Sequence, residues 1–303
     1  MVDSVVERFR RRVAVNVIEQ EPLSSYTSFR IGGPAEILYT PEDEGDLVCA
    51  VRAARRLGIP TTILGNGTNV LVSDSGVQGI VIRLLEPSRR PTMEEGLVLV
   101  KAATPLASLL EFAVVRSLEG LEYLTGIPGT VGGAVYMNAG SFSQAISTHL
   151  AYVELLDRKL EHVVKRHEEI DFDYRYSEFQ ESGAIILGAA FDLDPGDQTL
   201  IRATAERVRT EKRAKQSWEY PNAGSVFMNP PTTYAGKLIE EAGCKGLQVG
   251  GAQVSPKHAN FILNLGDATA ADVIRLMDIV VQRVYDKFNI RLTPEIRLVG
   301  DFS

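Results

Sequence analysis

Two glycine-rich turns and three isolated polar residues are the parts of this sequence best suited to chemistry. The turns are Leu64-Gly-Asn-Gly-Thr-Asn-Val70 and Gly126-Ile-Pro-Gly-Thr-Val-Gly-Gly-Ala134. Each follows or interrupts an apolar run and strings together small residues. Main-chain N–H groups there can face a ligand with no side chain in the way, which suits phosphate or pyrophosphate. Two such loops in one chain predict a long, two-ended cofactor. The cofactor-binding candidates are Leu64, Gly65, Asn66, Gly67, Thr68 and Asn69 in the first loop. In the second they are Gly126, Ile127, Pro128, Gly129, Thr130, Gly132, Gly133 and Ala134. The alternative is that both are tight turns in a strand-rich core.

Neither loop is a common nucleotide motif. A P-loop requires Lys-Ser/Thr after its last glycine, and Gly133 is followed by Ala134 and Val135. A dinucleotide fingerprint requires a third small residue where Val70 stands, and a helix opening where this sequence reads as strand or turn.

The three polar residues each lie in a loop or strand end beside apolar sequence. Arg175 is flanked by aromatics in Asp171-Phe-Asp-Tyr-Arg-Tyr-Ser177. Ser225 follows a glycine in Asn222-Ala-Gly-Ser-Val-Phe-Met-Asn-Pro230, and Glu295 lies in Thr293-Pro-Glu-Ile-Arg-Leu298. Each also has a plain structural reading. Arg175 could stack on Tyr174 or Tyr176 and pair with Asp171 or Asp173; Ser225 could be a turn serine; Glu295 could pair with Arg297 or Arg291. No Gly-x-Ser-x-Gly elbow surrounds Ser225, which argues against a hydrolase nucleophile.

The elements that must position these residues alternate in type. A short amphipathic helix is read over 3–12, a strand over 36–40, and a helix over 46–57 from apolar residues at 47, 48, 51 and 54. A strand at 61–64, the first loop and a strand at 79–84 complete a small α/β unit. After a polar, proline-bearing stretch at 85–96 come a strand at 97–102, a helix at 105–118 with proline in its first turn, and the second loop. Strands at 151–156 and 184–193 follow, with a polar loop at 171–179 between them. A break at Pro195 leads into a helix over 199–215, whose many basic residues read mostly as a solvated face. The last unit has helices at 235–242 and 269–288, the latter capped by Thr269 or Asp267, and strands at 259–265 and 291–298. Three consecutive parts are expected: 1–84, 85–196 and 197–303.

Composition narrows the class. The chain has 303 residues, 45% hydrophobic, with 39 acids against 32 Lys and Arg for a net charge of −7, which argues against a general nucleic-acid surface. Cys49 and Cys244 cannot build a disulfide framework and read as buried thiols in a reducing compartment, so a cytoplasmic location is expected. No signal peptide, membrane span or zinc-ligand spacing is read, and no metal or protein partner is inferred.

Taken in order, the motifs resemble the UDP-N-acetylenolpyruvoylglucosamine reductases, flavoenzymes of peptidoglycan precursor synthesis. The likeness runs from Thr27-Ser-Phe-Arg-Ile-Gly-Gly-Pro-Ala35 through both glycine loops and Tyr174-Arg-Tyr-Ser177. It continues through Asn222 to Pro230, the His258-Ala-Asn260 segment, and Pro294-Glu-Ile-Arg297. The resemblance implies an α+β fold: a two-part FAD-binding module of the vanillyl-alcohol-oxidase type plus an α+β substrate-binding domain, in the shorter form of the family. It implies non-covalent FAD, NADPH as co-substrate, and a UDP-sugar enolpyruvyl ether reduced to a lactyl ether, UDP-N-acetylmuramate.

By the same resemblance Arg175 and Glu295 stabilise the enediolate, Ser225 protonates carbon, and Lys215, Asn229 and His258 contact substrate. One position departs from the family: Met228 stands where lysine is frequent. Two other readings remain open at this level, another FAD oxidoreductase of the same fold and a non-catalytic nucleotide-binding protein.

Overall fold

The computed structural model describes residues 5–13, 17–84 and 90–302, so part of the helix read over 3–12 and part of the polar stretch at 85–96 lie outside the described residues. The chain forms two compact units, each assembled from separated segments. Unit 1 takes Met1–Asn16, Tyr39–Gly65 and Ile82–Lys212; unit 2 takes Val17–Leu38, Asn66–Val81 and Arg213–Ser303. This division differs from three consecutive parts. Gly, Pro and polar clusters mark where a chain turns, but not which distant segment it then packs against.

Unit 1 is built on a five-stranded antiparallel sheet in the spatial order His162–Arg166, Leu150–Leu156, Ile185–Phe191, Leu97–Lys101, Thr92–Glu94. Leu97–Lys101 buries alternate residues, as a strand with one covered face must. Val98, Val100, Val153, Leu155 and Phe191 form the core with Leu106 and Leu109 of the helix Leu106–Val115. The short helix Val131–Tyr136 contributes Val131 and Val135. The helix Glu44–Leu57 starts where the Asp43 carboxylate accepts from Asp46 N and ends at Gly58, whose φ of 68° is the left-handed conformation that glycine adopts without a Cβ penalty. Its buried stripe is Leu47, Ala50, Val51 and Ala54. That phase turns Cys49 outward, so the reading of Cys49 as a buried thiol is corrected, whereas Cys244 is buried as expected.

Unit 2 contains the strands Val17–Pro22, Pro34–Tyr39 and Val77–Arg83 side by side in that order, and a smaller sheet of Gln248–Val249, Ala252–Val254 and Ile262–Asn264. The helix Ala270–Phe288 lays Val273, Leu276, Val280 and Val284 into the core. Thr269 closes a capping box with Asp272, and Asp74 accepts from Ala270 N and Ala271 N at 2.8 and 2.9 Å. The last strand is shorter than the 291–298 expected. Only Arg297–Val299 forms a ladder, parallel to Val70–Val72. Pro294, which has no N–H to give, makes a single bridge to Phe227 instead.

Candidate active site

Unit 2 brings Ser225 and Glu295 together. Residues 225–228 run as an extended segment between two others. On one side Ser225 bridges Phe261, and Val226 N donates to Asn260 O at 2.8 Å. On the other side Glu295 N donates to Val226 O at 2.7 Å and Met228 N to Thr293 O at 2.9 Å. Val226 and Phe227 are buried, while Ser225 and Glu295 are half-buried at the same end of this arrangement. The Ser225 hydroxyl makes no hydrogen bond among the described residues. Ser225 enters the segment from an Asx turn: Gly224 N donates to Asn222 Oδ1 at 3.0 Å, and Gly224 has φ 77°.

Two asparagines fix this frame, and sequence reading missed both roles. Asn260 Oδ1 accepts from Phe227 N at 3.0 Å, and its Nδ2 donates to Phe227 O at 2.8 Å, both buried. The side-chain amide thereby replaces a missing strand. Asn69, in the first glycine loop, donates through Nδ2 to Glu295 O at 3.1 Å and accepts from Arg297 N through its carbonyl at 2.9 Å. The same loop is anchored at Gly67, where Ser28 N donates to Gly67 O at 3.0 Å. Gly67 has φ 59°, and a Cβ there would fall 2.2 Å from Tyr26 O.

Asn260→Ala leaves one buried N–H and one buried C=O of Phe227 unpaired, so we expect a loss of roughly 2–4 kcal/mol of stability. Urea unfolding followed by circular dichroism measures it. An unchanged midpoint would mean that the Phe227 segment holds without the clamp.

Unit 1 holds Arg175 and the second loop. Arg175 sits at the tip of a two-residue-per-strand hairpin, Phe172–Asp173 against Tyr176–Ser177, with φ 59°, uncommon for a residue with a side chain. Asn138 Nδ2 donates to Asp173 O and Gln180 Nε2 to Arg175 O, which pins the hairpin. The guanidinium donates to Gly140 O at 2.8 Å and lies 4.8 Å from the Tyr174 ring centroid, so the stacking alternative is realised.

Within unit 1, Gly65 at the start of the first loop lies against the second loop. A Cβ on Gly65 would stand 2.8 Å from Thr130 Oγ1, and one on Gly132 would stand 2.8 Å from Ala102 Cβ. The N–H groups of Gly126, Gly129 and Thr130 donate to no acceptor among the described residues. Beside Gly126 lies Lys212, whose Nζ donates to Tyr123 O and Thr125 O. Burial, and secondarily the Arg175 charge, push its pKa down to about 8.

The remaining expected residues divide. Asn229 is exposed, and its Oδ1 accepts from Ala235 N at 3.0 Å. His258 is half-buried, edge-on to Phe261 with ring centroids 4.8 Å apart, and its Nδ1 is buried with no hydrogen-bond partner. Burial lowers the His258 pKa. Both frame the start of the helix Ala235–Glu241 in unit 2, since a Cβ on Gly236 would stand 3.6 Å from His258 Cε1. Lys215 is exposed at the end of the helix Gln198–Lys215.

Comparison with known proteins places this arrangement. Residues 35–164 match the family model of an FAD binding domain, and residues 216–299 match that of the UDP-N-acetylenolpyruvoylglucosamine reductase C-terminal domain. The UDP-N-acetylenolpyruvoylglucosamine reductase of Heliobacterium modesticaldum is 43% identical over 285 residues, spanning 94% of this chain and 91% of that protein. The chain belongs to the UDP-N-acetylenolpyruvoylglucosamine reductase family. A second reductase of the family, from Moorella thermoacetica, is 44% identical over 287 residues, 95% of this chain and 94% of its own. The crystal structure of the family member from Thermus caldophilus matches with a TM-score of 0.80 at 36% identity, covering 95% of this chain and 99% of that one. The expected fold class, an α+β chain with an FAD-binding module and a reductase C-terminal domain, is therefore the fold of this reductase family.

Proposed function

We propose that this reductase catalyses the NADPH-dependent, FAD-mediated reduction of UDP-N-acetylglucosamine enolpyruvate to UDP-N-acetylmuramate. The observation that carries the reading is the pairing of Ser225 with Glu295 on main-chain-bonded neighbouring segments, Glu295 N to Val226 O at 2.7 Å. A proton donor and a second acidic group in register suit a reaction that must protonate carbon beside a carboxylate.

The residues present fit FAD. The second loop offers three main-chain N–H groups, those of Gly126, Gly129 and Thr130, that donate to no acceptor among the described residues. Gly65 and Gly132 keep the close packing around it, because a Cβ there would meet Thr130 Oγ1 or Ala102 Cβ at 2.8 Å. Bound FAD, charged by NADPH, supplies the hydride. Arg175 binds the enolpyruvyl carboxylate with its two-pronged guanidinium and stabilises the charge that builds on the carboxylate oxygens as the double bond is reduced. Glu295, protonated, donates a hydrogen bond to the same oxygens. The Ser225 Oγ–H gives its proton to the carbon bearing the carboxylate and is reprotonated from water, leaving a lactyl ether. Lys215, Asn229 and His258 contact the nucleotide sugar.

Among the described residues no helix is long and apolar enough to cross a membrane, and the reaction's UDP-sugar and NADPH place it in the cytoplasm in this reading.

Two measurements test the assignment. The purified chain is expected to be yellow, and to consume NADPH stoichiometrically with added enolpyruvyl nucleotide. A colourless protein, or NADPH consumption indifferent to that nucleotide, overturns the reading in favour of a binding protein or another oxidoreductase. The flavin is expected to be non-covalent, since neither glycine loop contains the His or Cys that usually tethers one, and Tyr136 is the nearest other nucleophile. Acid precipitation then leaves the colour in the supernatant; colour retained in the pellet contradicts it.

A further inference from the structure

Lys212 is the one buried Lys, Arg, Asp, Glu or His among the described residues, 7% exposed, in a helix whose Arg202, Arg207, Arg209, Arg213 and Lys215 face solvent. Its Nζ donates to Tyr123 O at 3.1 Å and to Thr125 O at 2.7 Å, the two carbonyls at the entry to the second glycine loop. An ammonium has three donors, so one N–H remains. No carboxylate pairs with it among the described residues; its neighbours are the Phe142 ring, 6.0 Å away, and the like charge of Arg175.

A short bonded path joins the two cations. Arg175 donates to Gly140 O at 2.8 Å, and the next residue, Ser141, donates through Oγ to Tyr123 O, the carbonyl that also receives Lys212. A buried ammonium with no counter-charge, kept next to a second cation, is an unfavourable way to hold a loop. It becomes favourable once an anion arrives.

We propose that Lys212 is a positioning cation of the Arg175 site, anchoring the entry to the second glycine loop through two carbonyls and keeping its charge for an anionic oxygen of a bound ligand. The inference rests on the function proposed above, which offers two sources of such an oxygen. One is the substrate carboxylate. The other is the flavin, which gains negative charge when reduced.

The FAD-loaded enzyme is compared with Lys212→Gln, which keeps a donor for the carbonyls but no charge, and with Lys212→Arg, which keeps the charge. Calorimetry measures binding of the enolpyruvyl nucleotide and of UDP-N-acetylglucosamine, which lacks the carboxylate. Equilibration with a redox dye measures the flavin potential. If the substrate is the source, Lys212→Gln weakens the enolpyruvyl nucleotide by at least ~10-fold and leaves UDP-N-acetylglucosamine unchanged. If the flavin is the source, Lys212→Gln makes reduction at least ~10-fold less favourable, a potential about 30 mV more negative for two electrons. Lys212→Arg stays near wild type on whichever readout moves. Equal weakening of both nucleotides with an unchanged potential, or wild-type behaviour of Lys212→Gln on both readouts, overturns the proposal and leaves Lys212 a loop clamp. Reoxidation of the wild-type reduced flavin by the enolpyruvyl nucleotide tests the functional reading separately. With that reoxidation intact and Lys212→Gln unselective, only the Lys212 proposal falls.

Discussion

Arg175→Lys is expected to lower turnover by ~100-fold or more, about 3 kcal/mol of transition-state stabilisation, while the flavin stays bound. Charge alone is not what the position provides. The guanidinium leaves a tight hairpin at a left-handed backbone conformation, donates one N–H to Gly140 O and packs near the Tyr174 ring. The bond to Gly140 O and the Tyr174 ring fix the plane of a group whose paired donors match the geometry of a carboxylate. Lysine keeps a positive charge but presents it as a mobile point with no paired donors. Steady-state NADPH oxidation, with the flavin spectrum recorded on the same sample, measures the effect. Wild-type turnover in the variant would make Arg175 a structural arginine that only braces Gly140.

Ser225→Ala is expected to cost a similar ~100-fold or more, the scale for loss of a positioned general acid. The hydroxyl makes no hydrogen bond among the described residues, so its removal leaves no buried partner unsatisfied and little change in stability follows. The segment itself stays clamped by Asn260 on one side and by residues 293–295 on the other. Ser225→Cys is expected to recover part of the rate, since a thiol is a stronger acid and occupies nearly the same place. Equal rates for the Ala and Cys variants would mean that the side chain donates no proton.

Much of the site was legible because its residues sit in short, self-contained signals. The glycine turns, the aromatic-flanked Arg175, the Gly-Ser step at 225 and the Pro-Glu step at 295 each show in a few neighbouring letters, as does Thr269, one of the two caps expected for the last long helix. What sequence reading missed depends on partners far along the chain. Asn69 shows in the sequence only as a glycine-loop residue and Asn260 only as part of the His258-Ala-Asn260 segment, yet each holds main chain that is 226 or 33 positions away.

The helix Gln198–Lys215 is rich in charge and reads from the sequence as a mostly solvated face, Lys212 with it. Its buried residues are Ile201, Val208 and Lys212, spacings of seven and four that continue one helical stripe. That phase was available from the sequence, and composition masked it. Cys49 shows the converse error: an apolar neighbourhood suggested burial, while the phase set by Leu47, Ala50 and Val51 turns it outward. The grouping of residues 17–38 and 66–81 with 213–303 left no local trace, because it is made by pairings such as Arg297 with Val70.

The central claim is that Ser225 serves one half of the reaction and not the other. Anaerobic stopped-flow at the flavin absorbance, with each half-reaction run alone on wild type and Ser225→Ala, tests it most directly. Reduction of the flavin by NADPH needs no proton for substrate carbon, so its rate should be unchanged in the variant. Reoxidation by the enolpyruvyl nucleotide should slow by ~100-fold or more. Equal slowing of both phases, or an unslowed second phase, would contradict the account and remove Ser225 from the chemistry.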